Sequence, residues 1–412
     1  MPSVCFYFQV HQPLRLRKFS AFDIGRNDQY FDDERNRFYL ERVSRKCYLP
    51  ANQKLMDLIE RHNGDFRVSF SLSGIFIEQL ERFFPDVLDS FRRLVDTGCV
   101  DVLNETYYHS LAYLVSKREF TEQVRMQAKK IKSVFSVKSK VFRNTEAMYS
   151  NDIASVAEEM GYRGIVAEGL DHILQWRSPN YVYAARGSGM SVFLRNYKLS
   201  DDIAFRFSTR DWKEWPLTAD KFASWLSASD GQMVNLFMDY ETFGEHQWPE
   251  TGIFEFLDHL PREALKYENI DFMTLSEALK AYKPVGDFDV HHISSWADVH
   301  RDISAWLENS MQVQAFEEMK KLEAAMRKSR NARVLDAWRK LQTSDHFYYM
   351  CTKWFADGDV HKYFNCYETP YDAFMNYMNV MADIKNRAGL RASLPSRRPS
   401  GSSRRVSPNP PA

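Results

Sequence analysis

Residues 233–248 read MVNLFMDYETFGEHQW. The first half, Val234-Asn235-Leu236-Phe237-Met238, is a short apolar run of the kind that forms a strand buried on both faces. The run stops at Asp239, Tyr240 and Glu241, and Glu245, His246 and Trp248 follow closely. Carboxylates, an imidazole and an indole thus lie just beyond the carboxyl end of a buried strand, where βα architectures hold their chemistry. One such segment alone equally fits a strand that ends in a solvated loop whose acids cap the next helix. The remainder of the chain weighs between these readings by repeating the pattern.

Residues 4–10 (VCFYFQV) predict a first strand, ended at His11-Gln12-Pro13 because Pro13 has no N–H to give a ladder. The charged aromatic stretch 19–48 is longer than an ordinary connection, so short helices or a cover over a site are expected in it. A helical face at Leu55, Met56, Leu58 and Ile59 leads to a second strand at 66–72. A helix at 75–96, broken at Pro85, precedes a third strand at 98–103 that ends in Asn104-Glu105-Thr106-Tyr107-Tyr108-His109. A helix at 117–135 precedes a fourth strand, 141–145, ending in Glu146, and a helix at 152–160 precedes a fifth, 164–167, ending in Glu168. A sixth strand at 192–197 and a helix at 219–227 return the chain to 233–248, the seventh. A helix at 252–260 and a short apolar patch at 271–275 complete the alternation. This rhythm predicts an α/β fold, an incomplete (β/α)7 TIM-like barrel of parallel strands over residues 1–285.

After Pro284-Val285-Gly286 the period becomes helical. From about Asp298 onward, Met311, Phe316, Met319, Leu322 and Met326 mark a helix-packing stripe, so residues 286–385 are expected to form a helical bundle. Residues 386–412 are rich in Ser, Pro, Gly and Arg and contain no acid, which predicts a disordered tail.

Lys plus Arg and Asp plus Glu balance at 55 each, which argues against nucleic acid or an anionic membrane as partner. Five scattered cysteines without a CxxC suggest neither a disulfide framework nor a zinc site. No basic leader with a long apolar stretch opens the chain, and no apolar run approaches membrane-spanning length, so a reduced, cytoplasmic protein is expected. The aromatic content of 15% suits a cleft in which rings stack on sugar faces, and equally suits a large aromatic core.

Set side by side, the strand ends bring His11, Glu105, His109, Glu146, Glu168, Asp239 and Glu241 to one rim of such a barrel. The set lacks the Asp-His-His clustering of a committed metal site, so no metal and no cofactor are expected. Paired carboxylates in an aromatic cleft are what glycosidic bond cleavage needs: one attacks or stabilises the developing oxocarbenium ion and the other protonates the leaving oxygen.

The chain also resembles glycoside hydrolase family 57, α-amylase type. Residues 8–13 (FQVHQP) resemble the first family signature, with Gln9 where many members have a second histidine. Residues 98–109 (GCVDVLNETYYH) resemble the second, and 142–146 (FRNTE) the third. Residues 238–246 (MDYETFGEH) resemble the fourth, and 294–298 (SSWAD) with 306–309 (WLEN) the fifth. Residues 367–374 (YETPYDAF) are similar to the C-terminal helical segment of such members. The resemblance implies a retaining enzyme acting on α-1,4-glucosidic bonds of starch, glycogen or maltodextrins, with Glu146 as nucleophile and Asp239 as general acid/base. It makes His11, Glu105, His109, Glu241 and Trp296 the candidate sugar-binding or charge-tuning groups. Glu241 is expected to raise the pKa of Asp239 or to hold a sugar hydroxyl. Glu245, His246 and Trp248 are expected in the outer wall of the cleft, with Trp306 as a further stacking platform. Glu168 has no assigned role and is expected to start a helix.

Three other readings compete. A 4-α-glucanotransferase or branching enzyme would use the same pair but pass the glycosyl group to a sugar. A non-catalytic glucan-binding homologue would have lost one of the pair, whereas this chain keeps both. A metal-dependent deacetylase would need clustered Asp and His ligands, and the one adjacent histidine pair, His291-His292, follows the barrel. Chain-length preference and oligomeric state are not legible in the residues.

Overall fold

The computed structural model describes residues 2–353 and 365–390. Its strands are β1 (Ser3–Val10), β2 (Val68–Leu72), β3 (Val100–Val102), β4 (Val141–Arg143), β5 (Gly164–Glu168), β6 (Tyr183–Ala185), β7 (Ser191–Arg195), β8 (Met233–Asp239), β9 (Asp271–Phe272) and β10 (Asp287–Phe288). Two runs of parallel strands, β3-β2-β1-β8 and β7-β5-β4, form the wall. A parallel bridge between Asn104 and Phe142 joins the runs on one side. On the other, Asn196 N–H donates to Asn235 O at 2.9 Å, and Arg195 Nε donates to Phe237 O at 2.7 Å. Seven parallel strands therefore close into a barrel, the seven expected. The sequence missed two short strands: β6, which runs antiparallel to β7, and β10, which pairs with β6 outside the barrel wall. Each is only two or three residues long, too short to show a period.

Strand parity sets the architecture. In β1 the even residues Val4, Phe6, Phe8 and Val10 pack outward against the helices, while Cys5 and Tyr7 belong to the barrel interior. In β8 Val234, Leu236 and Met238 face outward, and Met233 and Phe237 inward. The same alternation carries Gln9 and Asp239, paired in register, to the top of the interior. Both faces are buried, so the strands read as continuous apolar runs whose polar members lie at the carboxyl end.

The helices follow their signals. Ser73 caps Gly74–Phe83, and Pro85 ends it and occupies the first turn of Pro85–Asp96. Within 19–48 the chain folds as a helix, Asp33–Val43, then a π-helical segment, Ser44–Tyr48. The C-terminal region is helical, but its first regular helix is Ser310–Lys321, so 298–309 is irregular where helix was expected. The physical reason is that this stretch is pinned to the barrel: Ser294 bridges Tyr149, and Arg301 donates to Trp296 O. The helices Ala332–Lys340 and Pro370–Arg387 pack Trp338, Tyr377 and Met381 on Phe316, Met319 and Met326, with Leu16, Phe19 and Tyr30 of the loop after β1. Helix continues through Arg387, past the expected start of the tail, and residues 391–412 lie outside the described residues.

The turn after β8 depends on Gly244. Its φ is +105°, and a Cβ there would lie 2.0 Å from Lys46 O. Gly244→Ala is expected to lower stability by at least about 2 kcal/mol, read by urea unfolding. A change within about 0.5 kcal/mol would show that the turn can shift freely.

Candidate active site

His11, His109, Glu146, Asp239, Glu241 and Trp296 line one cavity of about 80 Å³, with Gln9, Gln12, His246 and Asp345. Glu146 follows β4 in a left-handed turn with φ +57°, and Ala147 repeats it at +50°. Non-glycine residues adopt this conformation only when their surroundings hold them there. Here the carboxylate is held by three donors. Trp296 Nε1 donates to Oε2 at 2.9 Å, Ser344 Oγ donates to Oε1 at 2.9 Å, and His109 Nε2 lies 3.3 Å from Oε1.

His109 lies between two carboxylates, with Nδ1 2.8 Å from Glu105 Oε2. Burial works against its charge, but Glu105 and then Glu146 outweigh burial and raise its pKa to about 9. Glu105 is fully buried, which alone would raise its pKa; His109, Arg143 and His11 lower it instead. His11 stacks on His109 with centroids 4.1 Å apart. Burial, then His109, lowers the His11 pKa, whereas the carboxylates around His109 favour its charge. His11 Nδ1 lies 2.7 Å from Ser73 Oγ, and Asp345 Oδ2 accepts from Nε2 at 3.2 Å. Burial opposes the Asp345 charge, yet His11 brings its pKa down to about 2.

The His109 shift has a sign that can be tested. Its folded pKa of about 9 exceeds the ordinary 6.5, so its stabilisation is complete below pH 6.5 and is lost as the pH rises through 9. The unfolding free energy of the wild type relative to His109→Gln is expected to fall by about 1–3 kcal/mol between pH 6 and pH 10. A pH-independent difference would argue against an imidazolium between two carboxylates.

Glu241 has a raised pKa of its own, about 8, first through burial and then through Asp239. Tyr48 Oη and Gln12 Nε2 both donate to its Oε1. At neutral pH Glu241 is therefore largely uncharged beside Asp239. Glu245 is not an outer-wall group: it is fully buried and ion-paired to Arg42 at 2.7 Å, and it anchors the turn. His246 does line the cavity, whereas Trp248 is 55% exposed. Trp306 is completely buried and cannot stack on a sugar. Glu168 starts no helix; burial raises its pKa, while it pairs with Arg195 at 3.1 Å and Arg301 at 3.5 Å.

Ser344 and Asp345 were not singled out in the sequence. They enter from the C-terminal helices, where Thr343 bridges Ser110 and Ser344 N–H donates to His109 O at 3.0 Å. No local signal marks them, because a short Ser-Asp helix start is ordinary capping chemistry. Gln9 is the polar link inside the barrel, accepting from Tyr7 Oη and Ser71 Oγ and donating to Glu105 Oε1 at 3.2 Å.

The model for Glycosyl hydrolase family 57 matches residues 5–291. The chain belongs to this family. As a family 57 member it is a glycoside hydrolase. It is 44% identical over 398 residues to a Methanocaldococcus jannaschii protein named "Putative alpha-amylase", a match covering 93% of this chain and 84% of that one. An alpha-amylase of Pyrococcus abyssi is 24% identical over 69% of this chain but only 40% of its own length. Among solved structures, the 4-alpha-glucanotransferase of Thermococcus litoralis superposes with a TM-score of 0.69 at 17% identity, over 94% of this chain and 60% of that one. A branching enzyme from Thermococcus kodakaraensis superposes at 0.67 and 14% identity, over 93% and 90% of the two chains. At these identities the two structures establish the family 57 fold.

The family 57 barrel carries a second, larger groove of about 1080 Å³ between the loop after β1 and helices Gly74–Phe83 and Ala332–Lys340. Its charges pair with one another, as in Arg82–Asp33 and Lys340–Asp336, and none of the candidate catalytic carboxylates faces it. The candidate catalytic residues thus line the smaller cavity.

Proposed function

We propose that this chain cleaves α-1,4-glucosidic bonds in α-glucans with retention, Glu146 acting as nucleophile and Asp239 as general acid/base. The observation that carries the reading is the paired donation to Glu146: Trp296 and Ser344 each give it a hydrogen bond, next to the His109 cation. Hydrogen bonds to a carboxylate and a nearby positive charge favour its ionised form, the form a nucleophile needs. Asp239 lines the same cavity at the end of β8, partly open to solvent, where a leaving oxygen could take its proton. Retention asks for carboxyl groups about 5–5.5 Å apart when substrate is bound. Glu241 and His11 line the same cavity, which supports reading them as groups that bind sugar hydroxyls.

The reading is tested by incubating the purified protein with a single maltooligosaccharide and resolving the products by length. Shorter products only support hydrolysis. Longer ones in addition would make the chain a glycosyl transferase using the same pair. Binding without turnover, unaffected by Glu146→Gln, would leave a glucan-binding protein and overturn the enzymatic reading.

A further inference from the structure

Arg143 is the last residue of β4, three residues before Glu146, and its side chain is completely buried. Among the described residues, none of its three guanidinium nitrogens has a hydrogen-bond partner. Burying a cation without such partners costs several kcal/mol, so its charge must find stabilisation elsewhere. The structure gives it two sources. One is the Glu105 carboxylate, whose ionised form Arg143 favours through space. The other is the face of Trp296, where the guanidinium carbon lies 4.7 Å from the ring centroid.

A cation over an indole is attracted by the ring electrons, the more strongly where water is excluded. Drawing those electrons toward the cation also leaves the ring N–H a stronger donor, as in any polarised hydrogen-bond chain. That N–H points to Glu146 Oε2. The Trp296 main chain is fixed as well, since its N–H donates to Glu146 O at 3.2 Å and its carbonyl accepts from Arg301. Arg195, 5.9 Å from the same ring centroid, is already held by Glu168 and Asp201, so its charge is largely spent on them. Arg143 is the cation left to act on the ring.

We propose that Arg143 is a positioning residue for Glu146 acting through Trp296: its guanidinium holds the indole by the face and strengthens the Nε1–H donated to Oε2. The proposal rests on the reading of Glu146 as nucleophile for its functional meaning, but its physical content can be read without turnover. It also gives Trp296 a role beyond a sugar platform, as the relay between a buried cation and the attacking carboxylate.

The test uses tryptophan-labelled full-length protein and ¹⁵N–¹H spectra, in which each of the nine tryptophans gives one indole peak. The peak lost in Trp296→Phe belongs to Trp296. It is expected to move upfield in Arg143→Met, less in Arg143→Lys, and also in Glu146→Gln, as the hydrogen bond weakens. In turnover of an aryl maltooligosaccharide, the acid limb of kcat/KM is expected to move to higher pH in Arg143→Met and Trp296→Phe. The sign follows because losing a donor to the carboxylate raises its pKa. The double variant should shift no further than the larger single shift, since both changes act on one hydrogen bond. A Trp296 peak unmoved in folded Arg143→Met and Arg143→Lys, or additive shifts of the acid limb, overturns the proposal. Failure of both arginine variants to fold assigns Arg143 to the fold and also overturns it. If the peak responds as expected while Glu146→Gln keeps full glucan turnover, the nucleophile reading falls and the Arg143–Trp296–Glu146 contact stands.

Discussion

Glu146→Gln is expected to lower kcat/KM on maltooligosaccharides by about 10³-fold or more, because the attacking group itself is removed. The amide also disturbs its surroundings. Trp296 Nε1 and Ser344 Oγ both donate toward this side chain, on opposite oxygens. A carboxamide has only one oxygen, so whichever way it turns, one donor faces an N–H. His109 then keeps one carboxylate, Glu105, instead of two, and its pKa of about 9 should fall toward the ordinary 6.5. Two measurements check this: initial rates with products resolved by length, and a pH titration of the His109 ring resonances. More than about a tenth of wild-type activity in the variant would remove Glu146 from the nucleophile's role.

Asp239→Asn separates protonation of the leaving group from attack. Loss of a general acid lowers cleavage most where the leaving group is poor, so turnover of unactivated maltooligosaccharides is expected to fall by about 10²–10⁴-fold. For substrates with good leaving groups, such as maltosyl fluoride, the first cleavage needs no proton, so kcat/KM is expected to stay within about tenfold of wild type while kcat falls, because the water that releases the glycosyl group has lost its base. The basic limb of the pH profile for unactivated glucan should vanish with the acid that produces it. Neighbouring Glu241, raised to about 8, also titrates above neutrality, so Glu241→Gln is the control. A carboxamide imitates the uncharged carboxyl and should leave most of the activity below pH 8. Equal losses on activated and unactivated substrates would argue that Asp239 binds sugar and does not donate a proton.

Much of the fold is legible in the chain because a parallel barrel is written as buried strands, each ended by polar residues. The runs at 4–10 and 233–239 are mostly apolar, which marks them as buried strands. Which of their residues face the interior, Tyr7 and Phe237 among them, and that Gln9 pairs with Asp239 at the top, is shown by the structure. Pro85 is read correctly for a local reason: its ring cannot continue the helix before it. Charge states were less legible. The raised pKa of Glu241 itself comes first from burial, which a sequence does not display.

The seven strands, the helical C-terminal region and the strand-end positions of His11, Glu105, His109, Glu146 and Asp239 can be read from the chain alone. Each depends on short-range patterning, with the period of a strand and the residue that stops it lying within a few positions. What surrounds the candidate nucleophile was decided only by tertiary structure. Trp296 reaches Glu146 across 150 positions of sequence, Ser344 across 198, and Asp345 reaches His11 across 334. No local period records such contacts, because they are made when the irregular stretch before Ser310 and the C-terminal helices close over the barrel rim. The carboxylates are supplied by the strand ends, and the later chain supplies the Trp296 and Ser344 donors to Glu146 and a further carboxylate, Asp345, beside His11.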